Sequence, residues 1–206
     1  YPLVWVMRYS VFRYDGYSQP IWVGIENFVH AFTDDSSFWE SVFNTFVFAF
    51  GKLAVELPLS LALAYLLNKK IRGRNLFRTV YFLPSVISVA IVGIVFFYLF
   101  NAYNGVVNGW LMQTGLVNAR ISWFSNKWTA LLVAAIASIW QNFGINMIFF
   151  LTGLQSIPNE MYESCDLDGA SEWNKFYHIT LPMLGPVLVV IIMNALLGSL
   201  KVTDLI

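Results

Sequence analysis

A helix needs about 20 mostly apolar residues to cross the hydrocarbon layer of a bilayer, and four stretches of this 206-residue chain reach or approach that length. The first, 42–67, is interrupted by Lys52, Glu56 and Pro58. The second, 80–100, carries no charge, and the third, 130–151, carries none but includes Gln141, Asn142 and Asn146. The fourth, 183–200, is weakened by Gly185, Pro186 and Asn194, and residues 1–7 fit the tail of an earlier span. One such run could be a buried core helix. Four of them would leave nothing outside to cover them, because only 12% of residues are charged, against about 25% in a soluble domain. The expected fold is therefore all-α, a polytopic helical membrane protein without a soluble domain. The start at Tyr1 and the stop just after an apolar run suggest one membrane domain, 1–206, truncated at both ends.

Charge and motif content narrow the function. The 12 basic and 12 acidic residues cancel, which argues against a nucleic-acid partner. A lone Cys165 makes neither an intrachain disulfide nor a thiolate metal cluster. His30 and His178 lie far apart, and no phosphate loop, dinucleotide fingerprint, zinc-protease helix or nucleophile elbow occurs. The chain is expected to need no metal and to catalyse nothing by itself.

Orientation rests on the segment NKKIRGRNLFR, in which Lys69, Lys70, Arg72, Arg74 and Arg78 crowd between the first two full spans. By the positive-inside rule this loop is cytoplasmic. Alternation then places 101–128 and 8–40 outside and 152–182 inside. Trp22, Trp39, Trp110, Trp123 and Trp128 fall near the expected interfaces and read as an aromatic belt.

The second inner loop, 154–182, is the most informative segment. Pro158 belongs in the first turn of a helix, which Asn159–Leu167 continues and Asp168-Gly169 ends with a positive-φ turn. Residues 170–179 make a second helix, stopped by Leu181-Pro182. Five acidic residues (Glu160, Glu163, Asp166, Asp168, Glu172) face one lysine, Lys175, among Met161, Tyr162, Leu167, Trp173, Phe176 and Tyr177. Such an acidic, aromatic projection suits docking of a cytoplasmic protein. It suits equally a hairpin that packs only on its own membrane domain.

The run Glu163-Ser164-Cys165, then Asp168-Gly169-Ala170, then Ile179-x-Leu181-Pro182 resembles the EAA motif of permease subunits of binding-protein-dependent ABC importers. Ser164 and Cys165 depart from the family's alanines but are also small. Trp140, Gly153-Leu154-Gln155-x-Ile157-Pro158, Leu67-Asn68, Arg72-Gly73-Arg74, Phe77-Arg78-Thr79, Phe82-Leu83-Pro84, Phe38-Trp39 and Asn44-Thr45 are similar to the carbohydrate group related to the maltose system. The resemblance covers nearly the whole chain. It implies a type I importer transmembrane domain in the cytoplasmic membrane of a prokaryote, moving a sugar or oligosaccharide by alternating access. The implied partners are a second permease subunit, a cytoplasmic ATPase dimer that holds ATP and Mg, an extracytoplasmic solute-binding protein and the lipid bilayer. Glu163, Ser164, Cys165, Asp168, Gly169, Ala170, Leu181 and Pro182 would form the ATPase-docking loop.

For the solute path, Asn142, Gly144, Ile145 and Asn146 on the third full span are expected to line a polar strip. Asn194, Gly198 and Ser199 on the fourth are expected to present a comparable one, because uncharged polar groups inside spans face a cavity or a partner helix. The alternative for each is an interhelical hydrogen bond. Lys52 and Glu56, one turn apart, are read as a mutually neutralising pair that meets other helices. A polyol, a glycerol phosphate derivative or an acidic oligosaccharide are alternative solutes. A secondary transporter would call for inverted repeats or a charged filter, and the sequence has neither.

Overall fold

The structure is a computed structural model that describes residues 1–69 and 71–200, with backbone alone for 199 and 200. In order come α1 (Pro2–Tyr9), β1 (Phe12–Arg13), β2 (Ile21–Trp22), α2 (Glu26–Val29) with a π turn at His30–Asp34, and α3 (Ser36–Asn68). Then follow α4 (Arg74–Phe82), a 3-10 turn at Leu83–Val86, α5 (Val89–Leu99), α6 (Val106–Gln113) and α7 (Lys127–Ser156). The chain continues with α8 (Asn159–Leu167), α9 (Glu172–Lys175), a second π turn at Phe176–Thr180, α10 (Leu181–Met183) and α11 (Gly185–Leu200). Lys70, the side chain of Ser199 and everything from residue 201 lie outside the described residues.

The chain divides into two compact units, Tyr1–Val47 and Phe48–Ile206. In the first, β1 and β2 pair antiparallel with Phe12 opposite Trp22. The turn joining them closes on Asp15, whose Oδ1 accepts from the Ser18 N–H and hydroxyl and the Tyr17 N–H. Those donors hold the carboxyl down to about 2.

In the second unit the core consists of two apolar clusters among the described residues. Ala64 and Leu67 of α3 meet Met147, Phe150, Leu151 and Leu154 of α7, with Ile179, Leu184 and Ile191 closing the far side. A smaller cluster joins Val92 and Phe96 of α5 and Phe100 to Val133 and Ala137 of α7. The segment between α5 and α7 folds around Asn108. Its amide donates to the Asn101, Ala102 and Ile121 carbonyls, and its Oδ1 accepts from the Ile121 N–H and the Trp123 indole.

Among the described residues, α3 and α7 are each long and apolar enough to cross a membrane. Two further spans arise if each bent pair counts as one. Arg74–Val86 and Val89–Leu99 meet at 95°, and Glu172–Met183 and Gly185–Gly198 at 62°. The stretch 80–100, expected as one continuous span, is thus broken. Pro84 supplies no N–H to a helix ladder, and Ile87 and Ser88 turn extended before α5 begins. The second loop helix also differs from expectation, for it is not stopped by Leu181-Pro182. The π turn runs straight into α10, where Pro182 takes a first-turn position that needs no donor, and the break comes three residues after Leu181, at Leu184.

Candidate functional site

Two arrangements concentrate polar chemistry in the second unit: the loop hairpin after α7, and a polar seam along α7 itself. The hairpin starts with Ile157 and Pro158 extended, which ends α7 and separates it from α8. It ends in a Schellman turn, with the Ala170 N–H bonding the Cys165 carbonyl at 3.0 Å and the Gly169 N–H bonding Asp166 at 3.1 Å. Gly169 sits at φ +69 with open space where a side chain would stand, so a Cβ there meets only the left-handed backbone penalty. Ser171 then caps α9, accepting the Asn174 N–H.

Which side of the hairpin faces the core is settled by packing. Tyr162 and Cys165 lie against the apolar core, and the Tyr162 hydroxyl meets Thr180 Oγ1 at 2.9 Å. Phe176 packs edge-on against Tyr65 of α3. The opposite side is bare: Leu167 is 91% exposed and Trp173 68%, with Glu160, Glu163, Asp168 and Tyr177 also exposed. Lys175 is used up internally, bonded to Asp166 and to Glu172 at 2.8 Å. Those hydrogen bonds push the Lys175 ammonium above its ordinary range, and the bond to Lys175 draws the Glu172 carboxyl below its own. Glu160, Glu163 and Asp168 have no ion-pair partner among the described residues. Ser164 is exposed, Ala170 and Leu181 are half-buried, and Pro182 is exposed at the hairpin's return.

The expected path residues on α7 separate by environment. Asn146 is buried, and its amide donates to Glu56 Oε1 of α3. Glu56 in turn pairs with Lys52 at 3.5 Å, the two side chains being 0% and 5% exposed. Gly144 is also buried. A Cβ there would stand 1.8 Å from the Tyr81 carbonyl oxygen, so this glycine lets α4 and α7 touch backbone to backbone. Gly144 and Asn146 thus contact neighbouring helices, the interhelical alternative for these two positions. Asn142 is half-buried and donates to the Ser138 carbonyl of its own helix at 2.8 Å, and Ile145 is half-buried. On α11, Asn194 and Gly198 are exposed one turn apart; the Ser199 side chain is outside the described residues.

Three residues that sequence reasoning gave no role complete the seam. Gln141 donates to the Ile87 carbonyl at 2.8 Å, and Ser85 donates to the Gln141 carbonyl at 2.8 Å. Ser60 of α3 donates to the Phe143 carbonyl at 3.0 Å. A glutamine in an uncharged run, together with Pro84 in the preceding span, was the available signal: a broken helix in hydrocarbon must find donors and acceptors elsewhere. Among the described residues no three His, Cys, Asp or Glu side chains converge as a metal ion would require.

Residues 56–206 match the family described as "Binding-protein-dependent transport system inner membrane component". The chain is 33% identical over 184 residues to the arabinooligosaccharides transport system permease protein AraP of Bacillus subtilis (strain 168), covering 88% of this chain and 58% of that one. It is 36% identical over 172 residues to the lactose transport system permease protein LacF of Rhizobium radiobacter, covering 83% of this chain and 57% of that one. It thus spans less than three fifths of either relative. Its backbone is similar to a chain in the crystal structure of a bacterial alginate ABC transporter in complex with alginate pentasaccharide-bound periplasmic protein. The TM-score there is 0.77 at 26% identity, over 94% of this chain and 64% of that one. With the family match extending from Glu56 in the middle of α3 to the last residue, this chain belongs to the inner membrane components of binding-protein-dependent transport systems.

Proposed function

We propose that the chain is the permease part of an ATP-driven importer for a sugar or oligosaccharide, coupled to a separate ATPase through the hairpin 154–182. The observation that carries this reading is the two-sidedness of the hairpin. One side packs on the core through Tyr162 and Cys165 and on α3 through Phe176. The other presents Glu160, Glu163, Asp168, Leu167 and Trp173 bare and without an internal cation. A hairpin that served only its own domain would bury its apolar side chains. Here a 91% exposed Leu167 beside unpaired carboxylates fits an apolar contact rimmed by charge. ATP and Mg stay on the ATPase, and an extracytoplasmic binding protein delivers the solute.

For the solute class, the similarity to permeases of arabinooligosaccharide and lactose transport supports a neutral sugar. The proposed path runs along α7 and α11, with Asn142, Ile145, Asn194 and Gly198 toward it. Gly144 and Asn146 hold α7 in place behind it. The test is ATP-driven uptake into vesicles holding the complex and its binding protein, across a panel of labelled oligosaccharides, disaccharides and glycerol phosphate esters. Uptake of a neutral sugar that stops without ATP is expected. Uptake that persists without the ATPase, or that selects the phosphate ester alone, overturns the reading. Asn194→Leu should lower uptake several-fold with assembly intact.

A further inference from the structure

The first unit contains a short amphipathic segment whose apolar side is bare. In the sequence IENFVHAFTD, Ile25, Phe28, Val29 and Phe32 recur at the i, i+3, i+4, i+7 spacing of one helical face. The structure makes α2 and its π turn there, and those four side chains are 70%, 45%, 48% and 52% exposed. The polar side is the one tied down. The Glu26 carboxylate accepts from Arg13 at 2.9 Å, and the Asn27 amide donates to the Ser10 and Phe12 carbonyls at 2.9 Å each. A segment folded for water would bury that apolar side.

What adjoins it identifies the occupant. Asp35 accepts from the Ser37 and Phe38 N–H groups, starting the span-long α3 at once. The Trp39 indole donates to the Phe32 carbonyl at 2.9 Å, and Phe32, Phe38 and Trp39 form one aromatic cluster. The bare apolar strip therefore runs into the first turn of α3, which is long and apolar enough to cross a membrane. Four side chains fall far short of the roughly 20–30 residues per side of a standard protein interface. A strip of aliphatic and phenyl groups backed by a polar face, ending in a tryptophan, matches the boundary between headgroups and acyl chains.

We infer that residues 25–34 form an interfacial anchor lying in the headgroup plane, with Ile25, Phe28, Val29 and Phe32 dipped among the upper acyl carbons, and that this anchor sets the depth at which α3 enters the bilayer. The inference rests on α3 crossing the membrane and not on the solute or the ATPase.

The test places a polarity-sensitive fluorophore on single cysteines at 28 and 32 on the apolar side, and at 30 and 34 on the polar side. It uses the assembled complex with Cys165 replaced, in phosphatidylcholine and phosphatidylglycerol vesicles. If Phe28→Cys or Phe32→Cys disturbs assembly, Ile25→Cys and Val29→Cys report the same face. Expected are blue-shifted emission at 28 and 32 and quenching at least threefold stronger by lipids spin-labelled near the headgroup than by lipids labelled deep in the chain. Positions 30 and 34 should show emission as in water. Water-like emission at all four sites overturns the inference. So does blue-shifted emission at 28 and 32 that no lipid label quenches, which would mean that a protein covers the strip.

Discussion

At the scale of single residues, the most demanding feature is the buried trio Lys52, Glu56 and Asn146. A charged side chain inside a span is tolerated only when paired, and breaking a buried pair costs more than omitting it, about 3–5 kcal/mol. The i, i+4 spacing of Lys52 and Glu56 was readable as a self-neutralising pair. That Asn146 supplies the third member was not, because it lies 90 residues away along the chain. Lys52→Met alone leaves the Glu56 carboxylate buried beside one amide. It should lower the thermal midpoint of the detergent-solubilised complex sharply. Lys52→Met combined with Glu56→Gln keeps an acceptor for the Asn146 amide and removes both charges, so it should recover most of the loss. A double variant no better than Lys52→Met would show that the two charges act independently.

At the scale of elements, apolar content told which stretches enter the membrane but not whether they stay straight. The stretch 80–100 is uncharged, so nothing local contradicts a single helix. Its 95° break depends on Pro84 and on a donor from α7. The two hydrogen bonds that join the break to α7 are not equivalent. Ile87 is extended, so its carbonyl relies on Gln141. The Gln141 carbonyl that Ser85 reaches lies inside a regular helix and has a backbone donor as well. Gln141→Leu, which orphans a half-buried acceptor at up to about 1–3 kcal/mol, should therefore destabilise the complex more than Ser85→Ala. Comparing the two thermal midpoints checks this, and equal losses would contradict the assigned role of Gln141. By contrast α8 was legible to its last residue, because Pro158 and the Asp168-Gly169 turn are local signals that no distant contact overrides.

At the scale of the whole molecule, the hairpin and the apolar helices were both visible in sequence for the same reason: each is written in residues close together. The path was less legible, since a polar residue in a span has the same sequence signature whether it meets solute or another helix. The structure shows α7 devoting Gln141, Gly144 and Asn146 to its neighbours, which leaves α11 as the stronger place to look for solute contacts. The central claim concerns coupling, and retention of the ATPase by a Glu163→Lys permease tests it most directly. Glu163 is exposed and bonded to nothing within the hairpin among the described residues, so charge reversal should spare insertion and folding. Membrane levels of the permease should match the parent, while ATPase recovered with it falls at least tenfold and ATP-driven uptake falls with it. A Glu163→Lys permease that retains its ATPase and transports at the parental rate would contradict the account.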